Sequence, residues 1–187
     1  MMTKTLKFIP IIKFTDEQFF DFCQFNSDLR LECDAKGELI VNPPTGGDTG
    51  RFNASLIGEF YIWNKQTQLG FVFDSSTGFK FPNGATRSPD VSWILLERWN
   101  QLTPKQQASF PPIVPDFVLE LMSQSDTLKD TQDKMKEYID NGVRLGWLIN
   151  PKGNFVEIYR PTQPVEVVKM PVKLDGGDVL PGFELNI

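Results

Sequence analysis

The stretch from Pro115 to Asn150, PDFVLELMSQSDTLKDTQDKMKEYIDNGVRLGWLIN, reads as strand, helix, strand. Phe117 to Met122 is a short apolar run introduced by Pro-Asp, the pattern of a buried strand. A helix is expected from about Thr127 to Asn141, with Leu128, Met135, Ile139 and Gly142 on one inward stripe. Gly142 suits the position just past a helix end, where a left-handed backbone is common. Val143 to Ile149 then forms the next strand, and such a unit places the chain among mixed α/β folds.

Working outward, Val91 to Leu96 is a second buried strand that also follows Pro-Asp, and Trp99 to Ser109 looks helical. Thr15 is a plausible N-cap for a helix through DEQFFDFCQF, with acidic residues in its first turn where the helix dipole favours them. Arg30 to Asp34 and Glu38 to Asn42 alternate around Ala35-Lys36-Gly37, which predicts a β-hairpin. The polar loop Pro43 to Gly50 leads into a second helix, from about Arg51 to Gln68, with Ala54, Ile57, Tyr61 and Ile62 at helical spacing. Gly70 to Phe73, Phe79 to Phe81 and Phe155 to Arg160 read as further strands, and short β segments run on to Ile187. With no internal repeat or low-complexity tract, residues 1–187 are expected to form one domain.

Composition narrows the chemistry. The 187 residues contain no histidine, which excludes Ser-His-Asp and Cys-His triads, HExxH zinc hydrolases and imidazole proton shuttles. Nineteen Lys and Arg against twenty-four Asp and Glu leave a net charge of −5, so no global basic field draws in nucleic acid or anionic lipid. Cys23 and Cys33 are too few for a disulfide framework and read as reduced, partly buried thiols. The N-terminal run MMTKTLKFIPIIKF is too interrupted for a signal peptide, and no apolar run approaches the ~20 residues of a membrane span. A cytoplasmic location is expected.

Glu120 is the most anomalous residue. An ionised carboxylate inside so apolar a strand costs several kcal/mol unless something compensates it, and a bound cation is the simplest compensation. Asp90 opens the other buried strand. If the two strands are neighbours, a spacing of about 4.8 Å brings both carboxylates within reach of one hard metal ion. Asp116 shares the parity of Glu120 but lies about 13 Å along the strand from it, too far for a common ion. The alternative is that Glu120 pairs with a core lysine or arginine and Asp90 merely caps a strand, and the sequence leaves both readings open. On the helical wheel, Lys129, Asp133, Lys136 and Asp140 share one solvated flank. Lys134 lies on the opposite border with Thr127, Thr131 and Tyr138, where its stem can cover apolar surface and carry the amine toward the sheet. Two acids on adjacent strands with one lysine form a set suited to metal-assisted phosphodiester hydrolysis, and no histidine is required.

These residues resemble the Uma2 family, also called DUF820, of the PD-(D/E)XK nuclease superfamily. The resemblance is carried by Gly37-Glu38-Leu39-Ile40 with Pro43-Pro44-Thr45-Gly46, by Ser75-Ser76-Thr77-Gly78-Phe79, and by Pro82-Asn83-Gly84 with Arg87-Ser88-Pro89-Asp90-Val91. It continues through Pro115 to Leu121, Lys134 to Tyr138, Asn141-Gly142-Val143, Gly146 to Pro151 and Leu180-Pro181-Gly182-Phe183, nearly the whole chain in order. It implies a restriction-endonuclease-like core, a mixed β-sheet flanked by helices, with an N-terminal helix and hairpin and C-terminal β segments. It also implies a site dependent on Mg²⁺ or Mn²⁺, with Asp90 and Glu120 as metal-binding acids. The superfamily's usual lysine, two residues after the glutamate, is replaced here by Met122. Either its function has moved to Lys134 or the site is silent, and the wheel favours the first. Glu59 is a possible additional acid, and Lys80 and Arg87 flank the loop that delivers Asp90, where phosphate contacts are expected.

The expected function is therefore a divalent-metal-dependent endonuclease acting on DNA. The alternative from a different class is a catalytically silent nucleic-acid-binding or protein-interaction module on the same fold. A sugar or nucleotide hydrolase with paired acids has only the carboxylates in its favour. Sixteen Phe and four Trp exceed the needs of one small core, and a homodimer is the expected outlet.

Overall fold

The structure, a computed structural model, describes residues 3–7 and 13–187. Most of the N-terminal apolar run, Phe8 to Ile12, lies outside these residues. The first half comprises β1 (Lys4–Leu6), α1 (Asp16–Phe25), β2 (Arg30–Cys33), β3 (Leu39–Asn42), α2 (Gly47–Thr67), β4 (Gly70–Asp74), β5 (Phe79–Lys80) and β6 (Thr86–Arg87). The second comprises β7 (Val91–Leu95), α3 (Leu96–Trp99), α4 (Pro104–Gln107), β8 (Phe117–Leu121), α5 (Leu128–Asp140), β9 (Leu145–Asn150), β10 (Phe155–Tyr159), β11 (Glu166–Lys169), β12 (Lys173–Asp175) and β13 (Glu184–Asn186).

The central sheet has six strands in the order β11-β10-β9-β8-β7-β4. Only β8 and β9 are parallel, joined by α5, which is the strand-helix-strand unit expected from the sequence. Alternation along each strand divides the core between the two faces of this sheet. Val91, Trp93, Phe117, Leu119 and Trp147 pack with Leu56, Phe60 and Trp63 of α2 and with Phe183. Ile94, Val118 and Leu148 pack with Met135 and Tyr138 of α5 and with Phe79 and Phe81. Glu120 shares the parity of Val118, so its carboxylate belongs to the α5 side.

A five-stranded sheet, β1-β3-β2-β6-β5, holds the expected hairpin at its centre and lies beside α1, which buries Phe19 against Leu31 and Leu39. The chain closes with a β12-β13 ribbon.

Three local expectations are corrected. α2 begins one turn earlier than expected and turns a different stripe inward: Leu56, Phe60 and Trp63 are buried, whereas Tyr61 and Ile62 are 58% and 55% exposed. Both stripes have helical spacing, and the inward one carries the larger rings. The segment 99–109 is not one helix, because Pro104 starts a new four-residue helix capped by Thr103. Finally, Tyr138, expected on the border of α5, is fully buried beside Met135.

Candidate active site between the two sheets

Asp90 and Glu120 reach one another through strand pairing. Val91 lies opposite Leu119 in the antiparallel β7-β8 pair, so one further step of the register sets Asp90 opposite Glu120. Asp90 is held in place by the Leu121 backbone N–H, which donates to Oδ2 at 2.8 Å. From the other side, α5 brings Lys134 over the sheet. Its Nζ lies 2.9 Å from Glu120 Oε1 and 3.1 Å from Glu32 Oε1. One turn further along α5, the Tyr138 hydroxyl donates to the same Glu120 oxygen at 2.7 Å.

Glu32 was not singled out by sequence, yet it ties the second sheet to the site. It projects from β2 and is 3% exposed. Its carboxylate accepts from the Ser88 backbone N–H at 2.8 Å and faces Arg87 Nη1 at 3.3 Å. Burial alone would push this carboxyl up, but Lys134 and Arg87 outweigh it and hold it below the usual carboxylate range. A buried acid within the hairpin strand Arg-Leu-Glu-Cys was the available signal, but four residues of strand are too short to identify an inward face.

The electrostatics of the two facing acids differ from those of Glu32. Burial pushes Glu120 up to about 7, Lys134 opposes this, and the neighbouring charges of Asp90 and Glu32 add to it. Asp90 is also raised, by burial first, against the Leu121 hydrogen bond and Lys134. For Lys134, burial would lower the amine, but Glu120 and Glu32 more than offset that and hold it above its ordinary value, so it is an ammonium at neutral pH. The basic partner that Glu120 needs and the lysine expected to assist chemistry are thus one side chain.

The other sequence candidates do not join them. Glu59 is exposed on α2 and does not line the cavity that holds Asp90, Glu120 and Lys134. Lys80 is engaged by Asp16 at 2.6 Å and donates to the Gly84 carbonyl at 2.8 Å. Arg87 is 9% exposed and clamped between Glu32 and Glu137, the latter 2.6 Å from Nη2. Both Lys80 and Arg87 are thus paired with carboxylates within the fold, and Arg87 is a strut between Glu32 of β2 and Glu137 of α5. Asp116 forms a separate network with Arg98, 2.8 Å away, and Arg144.

The cavity, about 1010 Å³, lies between the hairpin of the second sheet, the start of α2 and the N-terminal half of α5. Among the described residues, no group of three or more Asp, Glu, Cys or His side chains is arranged to hold a metal ion. Two acidic oxygens nevertheless remain uncommitted. The polar contacts of Glu120 fall on Oε1 and those of Asp90 on Oδ2, which leaves Oε2 and Oδ1 free among the described residues.

The Uma2 family, described as "Putative restriction endonuclease", matches residues 16–187. The chain belongs to the Uma2 family. A crystal structure of "a putative nuclease belonging to DUF820" from Anabaena variabilis ATCC 29413 superposes with a TM-score of 0.71. That protein is 20% identical, and the match covers 83% of this chain and 86% of the other, so the likeness speaks for the fold. No curated protein matches the chain. As a Uma2 member with this core, the chain has the restriction-endonuclease-like α/β fold expected from its sequence.

Proposed function

We propose that the chain is a divalent-metal-dependent endonuclease that hydrolyses phosphodiester bonds of DNA as a single domain, with Asp90, Glu120 and Lys134 as its catalytic residues. The observation that carries this reading is the position of Lys134 Nζ, 2.9 Å from a buried glutamate that faces Asp90 across a strand pair. The donor set suits a hard cation. Two carboxylates with one uncommitted oxygen each match the one or two acidic ligands that Mg²⁺ or Mn²⁺ takes from a protein, the remainder being water and substrate phosphate. Such an ion, when bound, polarises the scissile phosphate and lowers the pKa of a coordinated water.

The chain's own residues supply the rest. Lys134 is held protonated, so it acts as a donor that orients water and stabilises developing negative charge, rather than as a base. Glu32, Arg87 and the Ser88 N–H fix the far side of that ammonium. The Tyr138 hydroxyl fixes Glu120 Oε1, and Oε2 carries no polar contact among the described residues. Met122, in the usual lysine position, does not remove the positive charge from the site because α5 provides it. Pairing of two copies, so that two strands can be addressed, belongs to the same reading, and sedimentation that finds only monomer at micromolar concentration would remove it.

The test is cleavage of plasmid and oligonucleotide DNA with Mg²⁺ or Mn²⁺. Asp90→Ala and Glu120→Ala should each abolish turnover, and Lys134→Ala should lower it by about 10²- to 10³-fold, with far-UV circular dichroism unchanged. Full activity in Asp90→Ala or Glu120→Ala would sink the assignment. DNA binding without metal-dependent turnover in the parent chain would make it a non-catalytic binding module instead.

A further inference from the structure

The second turn of α2 carries a polar group whose environment the fold itself does not explain. Asn53 Oδ1 is shut off from solvent and has no hydrogen-bond partner. The residue lines the same cavity as Asp90, Glu120 and Lys134. A buried amide oxygen without a donor is destabilising, and native structures retain few of them. Local looseness is not the cause, because Phe52 and Leu56 on either side of Asn53 are packed into the core.

The missing partner and the incomplete donor set have one solution. Asp90 and Glu120 offer two oxygens, whereas the third nearby carboxylate, Glu32, is consumed by Lys134, Arg87 and Ser88. A further acid would add negative charge to a pair whose burial already opposes ionisation. An amide oxygen is a hard ligand that adds none. We infer that Asn53 Oδ1 is a third protein ligand of the divalent cation proposed at Asp90 and Glu120, bound to the ion directly because no water reaches this oxygen. This places the helical contribution to the site at Asn53 rather than at the exposed Glu59. The inference rests on the metal-dependent reading above.

The experiment is titration of the full chain with Mn²⁺ alone, without nucleic acid, followed by calorimetry and by the electron paramagnetic resonance of bound Mn²⁺. Asn53→Ala should weaken Mn²⁺ binding by about 10- to 100-fold and alter the resonance. The near-isosteric Asn53→Asp should retain binding or tighten it. In EDTA, Asn53→Ala should melt no lower than the parent, since it removes an unpaired oxygen rather than a contact. Unchanged Mn²⁺ affinity in Asn53→Ala, alongside lost affinity in Asp90→Ala, would overturn this inference and leave the nuclease reading intact. A parent chain that does not bind Mn²⁺ would overturn both. Loss of binding in both Asn53→Ala and Asn53→Asp with a lowered melting temperature in EDTA would mark Asn53 as structural and also overturn the inference.

Discussion

Glu120 shows how far one residue can be read from sequence. Its position in an apolar strand was enough to mark it, because few environments tolerate such a carboxylate. The compensation was not visible there, since Lys134, Tyr138 and Glu32 come from elements distant in the chain. The folded environment raises this carboxyl to about 7 from a usual 4.5, so the folded state binds the proton more tightly than the unfolded state. Stability from this source is fully present below the unfolded value and is lost as pH rises through the folded one. In metal-free protein, the parent should therefore lose about 1 to 3 kcal/mol relative to Glu120→Gln between acidic and mildly alkaline pH. Thermal melts in EDTA at stepped pH check this, and parallel curves for the two proteins would reject it. Glu32 acts with the opposite sign. Its carboxyl is lowered, so its contribution is lost as the pH falls into the acid range.

At the scale of elements, α5 was the most legible and α2 the least. The charged flank of α5, Lys129, Asp133, Lys136 and Asp140, is exposed as its wheel requires, and Lys134 is turned away from it toward the sheet. The wheel succeeds because the charges leave only one sector for the core. α2 carries two overlapping apolar stripes, and the choice between them follows from which rings meet Trp93, Phe117 and Phe183. Thr127 caps α5 by accepting from the Asp130 N–H at 3.2 Å. Thr127→Ala should cost about 1 kcal/mol, measured by urea unfolding, while leaving Mn²⁺ affinity unchanged because Lys134 lies two turns further on. A matching loss of Mn²⁺ affinity would show that the first turn of α5 also sets the site. A strand position tests packing: a Cβ at Gly70 would lie 2.2 Å from the Ile94 carbonyl oxygen and 2.5 Å from the Trp93 ring. Backbone cannot yield there as a flexible side chain can, so Gly70→Ala should destabilise the β4-β7 edge by about 1–3 kcal/mol, again measured by urea unfolding.

Across the whole molecule, the acidic charge and the candidate site have to be considered together. A bound cation would reverse the local sign at Asp90 and Glu120, although the chain carries −5 overall. Around the cavity, Arg30 and Lys36 line the wall without forming an ion pair among the described residues. Two or three neutralised phosphates would make DNA affinity fall about 10- to 40-fold between roughly 50 and 200 mM salt. Fluorescence anisotropy with a short duplex measures this, and salt-independent binding would show that contacts other than phosphates dominate. No helix among the described residues is long and apolar enough to cross a membrane. What the sequence determined by itself was local and periodic: the strand-helix-strand unit, the exclusion of imidazole chemistry, the misplaced acid in β8 and the sector of α5 that carries Lys134. Each depends on spacing along a single element, where geometry is fixed by the backbone repeat. The tertiary structure decided the rest. It joined Glu32 of β2 to Lys134 of α5, set Arg87 between Glu32 and Glu137 as a buried strut, and left Asn53 rather than Glu59 lining the cavity. Such outcomes depend on which elements pack together, and short polar segments with no periodicity carry no record of that choice.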